Sequence, residues 1–201
     1  MIEVSREDAL WIIKINRPEK ANSLTRRMLR DLALTVEDAA GKAQTIILTG
    51  EGKVFSAGAD LEAAKQGLAV DPIWERLSRA IANFPGLSIA ALNGTVAGGA
   101  MGMVLACDLR VSVPGANFFY PVMKLGFLPQ PSDPGRLAAL VGVSRAKMIL
   151  MAGEKIDAMQ AEEWGLVDRL SDDPLKAARS LAEAAMAADP RHVAGIKALL
   201  D

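Results

Sequence analysis

Twice in this chain a short apolar run ends in a cluster of small residues that leads into a helix start. The first segment is Val54-Phe55-Ser56-Ala57-Gly58-Ala59-Asp60-Leu61. The second is Ile89-Ala90-Ala91-Leu92-Asn93-Gly94-Thr95-Val96-Ala97-Gly98-Gly99-Ala100. Small residues let the main chain approach a ligand closely, and N–H groups at a helix start point outward without partners. Two such groups aimed at one oxygen would form an oxyanion hole. There, one donor is worth roughly 3–4 kcal/mol toward the charge that develops when a thioester is attacked or deprotonated. Either segment alone also reads as a tight turn in which glycine avoids a clash. The pair, in this strand order, is the stronger constraint.

The rest of the pattern fits an α/β chain around these two turns. Ile2 to Arg6 and Ala9 to Asn16 read as strands of an opening hairpin, turned at Glu7-Asp8. Met28, Leu32, Val36 and Ala40 recur at helical spacing and end near Gly41. Thr45 to Leu48 and Ile89 to Leu92 suit strands buried on both faces, and Lys53 to Ser56 reads as a second hairpin-like segment. Asp71-Pro72 opens a helix, Gly98-Gly99 leads into the apolar helix Ala100 to Ala106, and Leu109 to Val113 alternates as a strand. From Pro129 onward the pattern is helical, apart from a short strand at Leu166 to Leu170. Asp157-Ala158-Met159-Gln160 resembles a capping box. Without repeat or linker, one domain is expected: a ββα core over 1–128 and a mostly helical part over 129–201.

Composition excludes several classes of function. Lys and Arg total 23 against 24 Asp and Glu, a net charge of −1 with the signs interspersed. No basic stripe for nucleic acid arises, and no apolar stretch is long enough for a bilayer. Cys107 is the single cysteine, which rules out an intrachain disulfide and favours a reducing, cytoplasmic setting. The N-terminus has no secretory signal pattern.

On several motifs in order, the chain resembles the crotonase (enoyl-CoA hydratase/isomerase) family over nearly its whole length. These are Arg17 to Leu24, Phe55 to Leu61, Ile89 to Gly99, Cys107-Asp108, Arg136-Leu137 before Val141-Gly142, Ile156-Asp157-Ala158, and Ala161 to Val167. The resemblance implies a spiral of ββα turns that binds an acyl-coenzyme A across two loops, with coenzyme A as part of the substrate and no separate cofactor. It implies that the N–H groups of Ala59 and Gly99 hold the thioester oxygen. Ala57 would contact the adenine, with Asp60 and Leu61 beside it, while Lys20 and Ala21 would lie along the nucleotide and pantetheine. Lys20 also reads as a solvated surface lysine.

The chain departs from the family where proton transfer is expected. Hydratases of the family use two glutamates; here Gly102 and Val122 occupy those positions, and neither can exchange a proton. Two-glutamate hydration is therefore not expected. Isomerisation, decarboxylation or thioester cleavage through an enolate stays open, as does a noncatalytic acyl-CoA-binding or scaffold role. Tyr120 is a candidate donor or a core ring. Asp133 is a candidate base or a helix cap, its Asp-Pro pair repeating Asp71-Pro72, Asp173-Pro174 and Asp189-Pro190. Glu75 lies beside Trp74 on a helix that can line the acyl pocket in relatives, or it is a surface residue. His192 is the sole histidine, away from the motifs, so no His-based triad or zinc site is expected. Cys107 reads as core, and Ser56 and Ser132 lack an evident base. The apolar stripe Val193, Ile196, Leu199, Leu200 stands where relatives continue with helices that cover the site, and it suggests association as a homotrimer or hexamer.

Overall fold

From Thr45 to Phe119, successive strands of this chain go alternately into two sheets. The computed structural model describes residues 1–200. In order the elements are β1 (Ile2–Glu7), β2 (Leu10–Ile15), α1 (Arg26–Ala39), β3 (Thr45–Gly50), β4 (Val54–Ser56), α2 (Leu61–Lys65) and α3 (Ile73–Ala82). Then come β5 (Leu87–Leu92), β6 (Thr95–Ala97), α4 (Ala100–Ala106), β7 (Leu109–Ser112), β8 (Asn117–Phe119) and α5 (Val122–Leu125). The chain continues with α6 (Asp133–Val141), α7 (Val143–Leu150), β9 (Ile156–Asp157), α8 (Ala158–Glu163), β10 (Arg169–Leu170), α9 (Pro174–Ala187) and α10 (Pro190–Leu200).

The larger sheet runs β1-β2-β3-β5-β7-β10 and the smaller β4-β6-β8-β9. Among the described residues only the β1–β2 and β8–β9 pairings are antiparallel. After the opening hairpin, each ββα turn gives one strand to each sheet and then a helix, as the resemblance implies. Three details correct the sequence reading. The Lys53–Ser56 segment is no hairpin, because β4 runs parallel to β6. The three-residue β6 and β8 were not foreseen. The C-terminal part holds two short strands, β9 on β8 and β10 on β7, so it is woven into both sheets.

Burial follows the two-residue period of the strands. In β2, Trp11, Ile13 and Ile15 face the main core with α1, α3 and α4, while Leu10 and Ile12 face the other side. That second face, with Ile47, Ile89 and Val111, is covered by Ala178 and Ala182 of α9. A sheet apolar on both faces needs cover on both, and small alanines let α9 lie close. Helix starts are set by side-chain oxygens: Thr25 accepts from the Met28 N–H, Asp71 from Ile73, Asp157 from Gln160 and Asp173 from Lys176. No described helix is long and apolar enough to cross a membrane.

Candidate active site

From Ala57 to Asp60 the first loop spends every backbone donor except one. Asn22, buried and at a φ of 54°, accepts from the Arg17 N–H at 2.8 Å and donates to Val54 O at 2.7 Å. Its carbonyl accepts the Ser56 hydroxyl at 2.8 Å, and that Oγ accepts the Gly58 N–H at 3.2 Å. The Ala57 N–H goes to Ala21 O at 3.0 Å and the Asp60 N–H to Leu24 O at 2.9 Å. The Ala59 N–H is left without a protein acceptor among the described residues. In the second loop the Gly98 N–H donates to Phe119 O at 3.1 Å, and the Met101 and Gly102 N–H groups serve the start of α4. Gly99, just before that helix, likewise keeps a free N–H.

Glycine is obligatory where the loops meet. Gly58 has a φ of +89°, and a Cβ on it would stand 2.7 Å from Ala97 O and 3.3 Å from the Gly99 nitrogen. Only a bare Cα lets the segment carrying Ala59 lie against the one carrying Gly99. The result is a pair of free N–H groups on two adjoining loops.

One turn along α4 the helix is indented and an acid fills the notch. A Cβ on Gly102 would lie 2.7 Å from Asp133 Oδ1 and 2.9 Å from Oδ2. Asp133 is 1% exposed; its Oδ2 accepts the Tyr120 hydroxyl at 2.8 Å, while Oδ1 has no partner. Burial pushes the carboxyl from an ordinary 3.8 up to about 6, against the lowering effects of the Tyr120 hydrogen bond and the Arg136 charge, and Glu75 raises it further. Burial, together with the neighbouring Asp133, drives the Tyr120 hydroxyl well above its usual range, so it stays a neutral donor.

Glu75 of α3 reaches the start of α6. It accepts both the hydroxyl and, at 3.2 Å, the N–H of Ser132, and Arg79 donates to it at 2.8 Å. Burial raises its pKa, but the Ser132 and Arg79 bonds outweigh that and hold it below the ordinary carboxylate value. It is an ionised anchor beside Asp133.

The description enoyl-CoA hydratase/isomerase belongs to the family model that matches residues 5–201. The chain belongs to that family. It is 36% identical to the probable enoyl-CoA hydratase EchA14 of Mycobacterium tuberculosis, over 96% of this chain and 77% of that protein. It is 32% identical to 4-chlorobenzoyl coenzyme A dehalogenase-2 of an Arthrobacter species, over 97% of this chain and 75% of the other. An enoyl-CoA hydratase structure from Bacillus anthracis superposes with a TM-score of 0.91 at 29% identity, covering 99% of this chain and 81% of that one.

Within this family member, the anticipated residues fall into distinct groups. Ala57, Ala59 and Gly99 come together at the loop junction. Lys20 is exposed at the end of a single 3-10 turn (Pro18–Lys20), and Ala21 follows it in a left-handed conformation. The Asp60 side chain is occupied, capping α2 and pairing with Arg17 at 2.8 Å. Leu61 projects outward, 80% exposed. Val122 is buried at the start of α5 and supplies no polar group.

Three readings are corrected. Asp133 makes no cap bond: it sits inside the first turn of α6 with its carboxyl turned to Gly102. Glu75 is buried, not a surface residue. Ser132 does have a carboxylate beside it, but the hydroxyl serves to anchor Glu75. Tyr120 is, as one of its two readings had it, a buried core ring, with its hydroxyl donated to Asp133. Ser56 only braces the loop. Cys107 is buried, its thiol pushed up to about 12 chiefly by burial, and His192 is exposed on α10 away from the loops. Among the described residues no three potential ligating side chains gather as for a metal.

The reciprocity of Gly102 and Asp133 was missed in the sequence. A signal was present: a glycine inside an otherwise apolar helix often marks a close approach. Its partner could not be named without the fold.

Proposed function

We propose that this protein processes acyl-CoA thioesters through an enolate, with Asp133, held by the Tyr120 hydroxyl, moving the proton that two glutamates move elsewhere in the family. The carbonyl oxygen is held by the Ala59 and Gly99 N–H groups. Asp133 as the carboxylate takes a proton from the carbon next to the carbonyl, and the electron pair is carried onto the oxygen as an enolate. The same carboxylic acid returns the proton further along the chain, so a double bond migrates and nothing is consumed. One group suffices for both steps, which is why isomerisation asks less of this site than hydration. The carrying observation is the Asp133 carboxyl in the notch over Gly102, buried and tuned to about 6, close to a working pH.

That carboxyl also favours a catalytic role over a purely binding or scaffold role, since a binding loop has no need of a buried acid with an unpartnered oxygen. Coenzyme A enters as part of the substrate, along the Lys20, Ala21, Ala57, Asp60 and Leu61 rim. Self-association as a homotrimer or hexamer in the cytoplasm belongs to the same reading, supported by the exposed apolar side chains Met123, Leu125 and Leu128. The test is product analysis over acyl-CoAs. Shift of a β,γ double bond to the α,β position, lost in Asp133→Asn, is expected. Rapid hydration of crotonyl-CoA would overturn it.

A further inference from the structure

Asp133 is held in its notch directly by Tyr120 and, through the residue before it, by α3. Ser132 gives its N–H, at 3.2 Å, and its hydroxyl to the two carboxylate oxygens of Glu75. Glu75 is fixed in its turn. The preceding Trp74 packs its ring over Gly99, where a Cβ would stand 2.9 Å from Cδ2, and its Nε1–H donates to Leu68 O at 2.9 Å. Arg79, one turn further on, donates to the Glu75 carboxylate at 2.8 Å. Helix α3 is thus set against the start of α4 by a ring and against the start of α6 by a carboxylate.

Holding Ser132 does not by itself require an acid. An amide can meet the same two groups, and a half-buried or buried carboxylate carries a desolvation cost that an amide avoids. What the acid adds is charge. Few groups face the Asp133 carboxyl: the Tyr120 hydroxyl, Arg136 of the same helix, and Glu75 from α3. Helix α4 is uncharged and presents the bare Cα of Gly102. Tyr120 and Arg136 favour the carboxylate of Asp133, whereas Glu75 opposes it as a like charge. Arg79 and Ser132 keep Glu75 itself ionised.

From this we infer that Glu75 is a positioning residue for proton transfer: through Ser132 it holds the start of α6, and it sets a like charge beside the Asp133 carboxyl. The inference rests on the enolate reading above and adds to it a residue that acts only through Asp133. Glu75 exchanges no proton with the substrate.

Two readouts on the full chain test this: α-proton exchange of butyryl-CoA in heavy water, and a carbon NMR titration of the Asp133 carboxyl. Glutamine at position 75 keeps an oxygen for the Ser132 N–H and an amide for its hydroxyl, but no charge. In Glu75→Gln the Asp133 midpoint should therefore move to lower pH, and the pH of half-maximal exchange should move with it. Glu75→Ala also releases Ser132. Its exchange at saturating butyryl-CoA should be at least about tenfold slower than that of Glu75→Gln, with butyryl-CoA affinity little changed. Circular dichroism checks folding. If Glu75→Ala does not fold, Ser132→Ala replaces it, and slower exchange with an unmoved midpoint is expected there. An unmoved midpoint in folded Glu75→Gln, or undiminished exchange in the tether variant, overturns the inference and leaves the enolate reading standing. No exchange by the unaltered protein, with its Asp133 carboxyl titrating, overturns the enolate reading and the role of Glu75 together.

Discussion

Replacing Asp133 by asparagine should make the folded protein more stable at neutral pH while impairing proton transfer. The carboxyl has a pKa of about 6 in the folded protein against an ordinary 3.8, a difference of about 2 pH units, or about 3 kcal/mol. The direction follows from which state binds the proton. Below about pH 3.8 the acid is protonated folded and unfolded, and its titration costs nothing. Between 3.8 and 6 the unfolded chain has lost the proton while the native state still holds it, so stability falls as pH rises. Above 6 both are ionised and the full penalty of about 3 kcal/mol persists. Asparagine does not titrate, and its carbonyl can still accept from Tyr120. Any cost of its unpartnered amide is a constant offset that cancels when two pH values are compared. Urea unfolding of both proteins at about pH 4.5 and about pH 7.5 should therefore show the variant gaining about 2 kcal/mol on the unaltered protein across that interval. A stability difference that stays flat with pH would refute the argument that this carboxyl is buried and shifted.

Two further substitutions probe the same cluster. Gly102→Ala places a methyl 2.7 Å from Asp133 Oδ1 and should cost about 1–3 kcal/mol in urea unfolding; combined with Asp133→Ala most of that cost should vanish, and simple additivity would contradict the contact. Tyr120→Phe removes the one donor to Asp133, a bond that lowers its pKa. A carbon NMR titration of the Asp133 carboxyl should then move to higher pH, and an unmoved midpoint would show that the hydroxyl does not act on it.

Much of the scaffold was legible because it rests on local chemistry. The apolar runs at Thr45 and Ile89 became strands buried on both faces, and Asp71, Asp157 and Asp173 capped the helices their positions announced. The small-residue loops were visible for the same reason: glycine at a left-handed φ or at a backbone crossing leaves its mark in the sequence. What escaped depends on distant partners. Strands β6, β8 and β9 have two or three residues each and exist only because a neighbour offers an edge. An Asp-Pro pair reads alike whether its carboxyl caps a helix or leaves it. At Asp133 the choice is settled by space over Gly102 and a hydroxyl from Tyr120, and at Trp74 by the bare Cα of Gly99.

Exchange of the proton next to the thioester carbonyl addresses the central claim without presupposing the product. Butyryl-CoA incubated with the protein in heavy water is followed by proton NMR. Loss of the α-proton signal is predicted, slowed by at least about 100-fold in Asp133→Asn, since a positioned acid or base contributes roughly 10²–10⁴. Exchange no faster than in buffer, or exchange undiminished in Asp133→Asn, would contradict an enolate formed by Asp133 at the Ala59–Gly99 site.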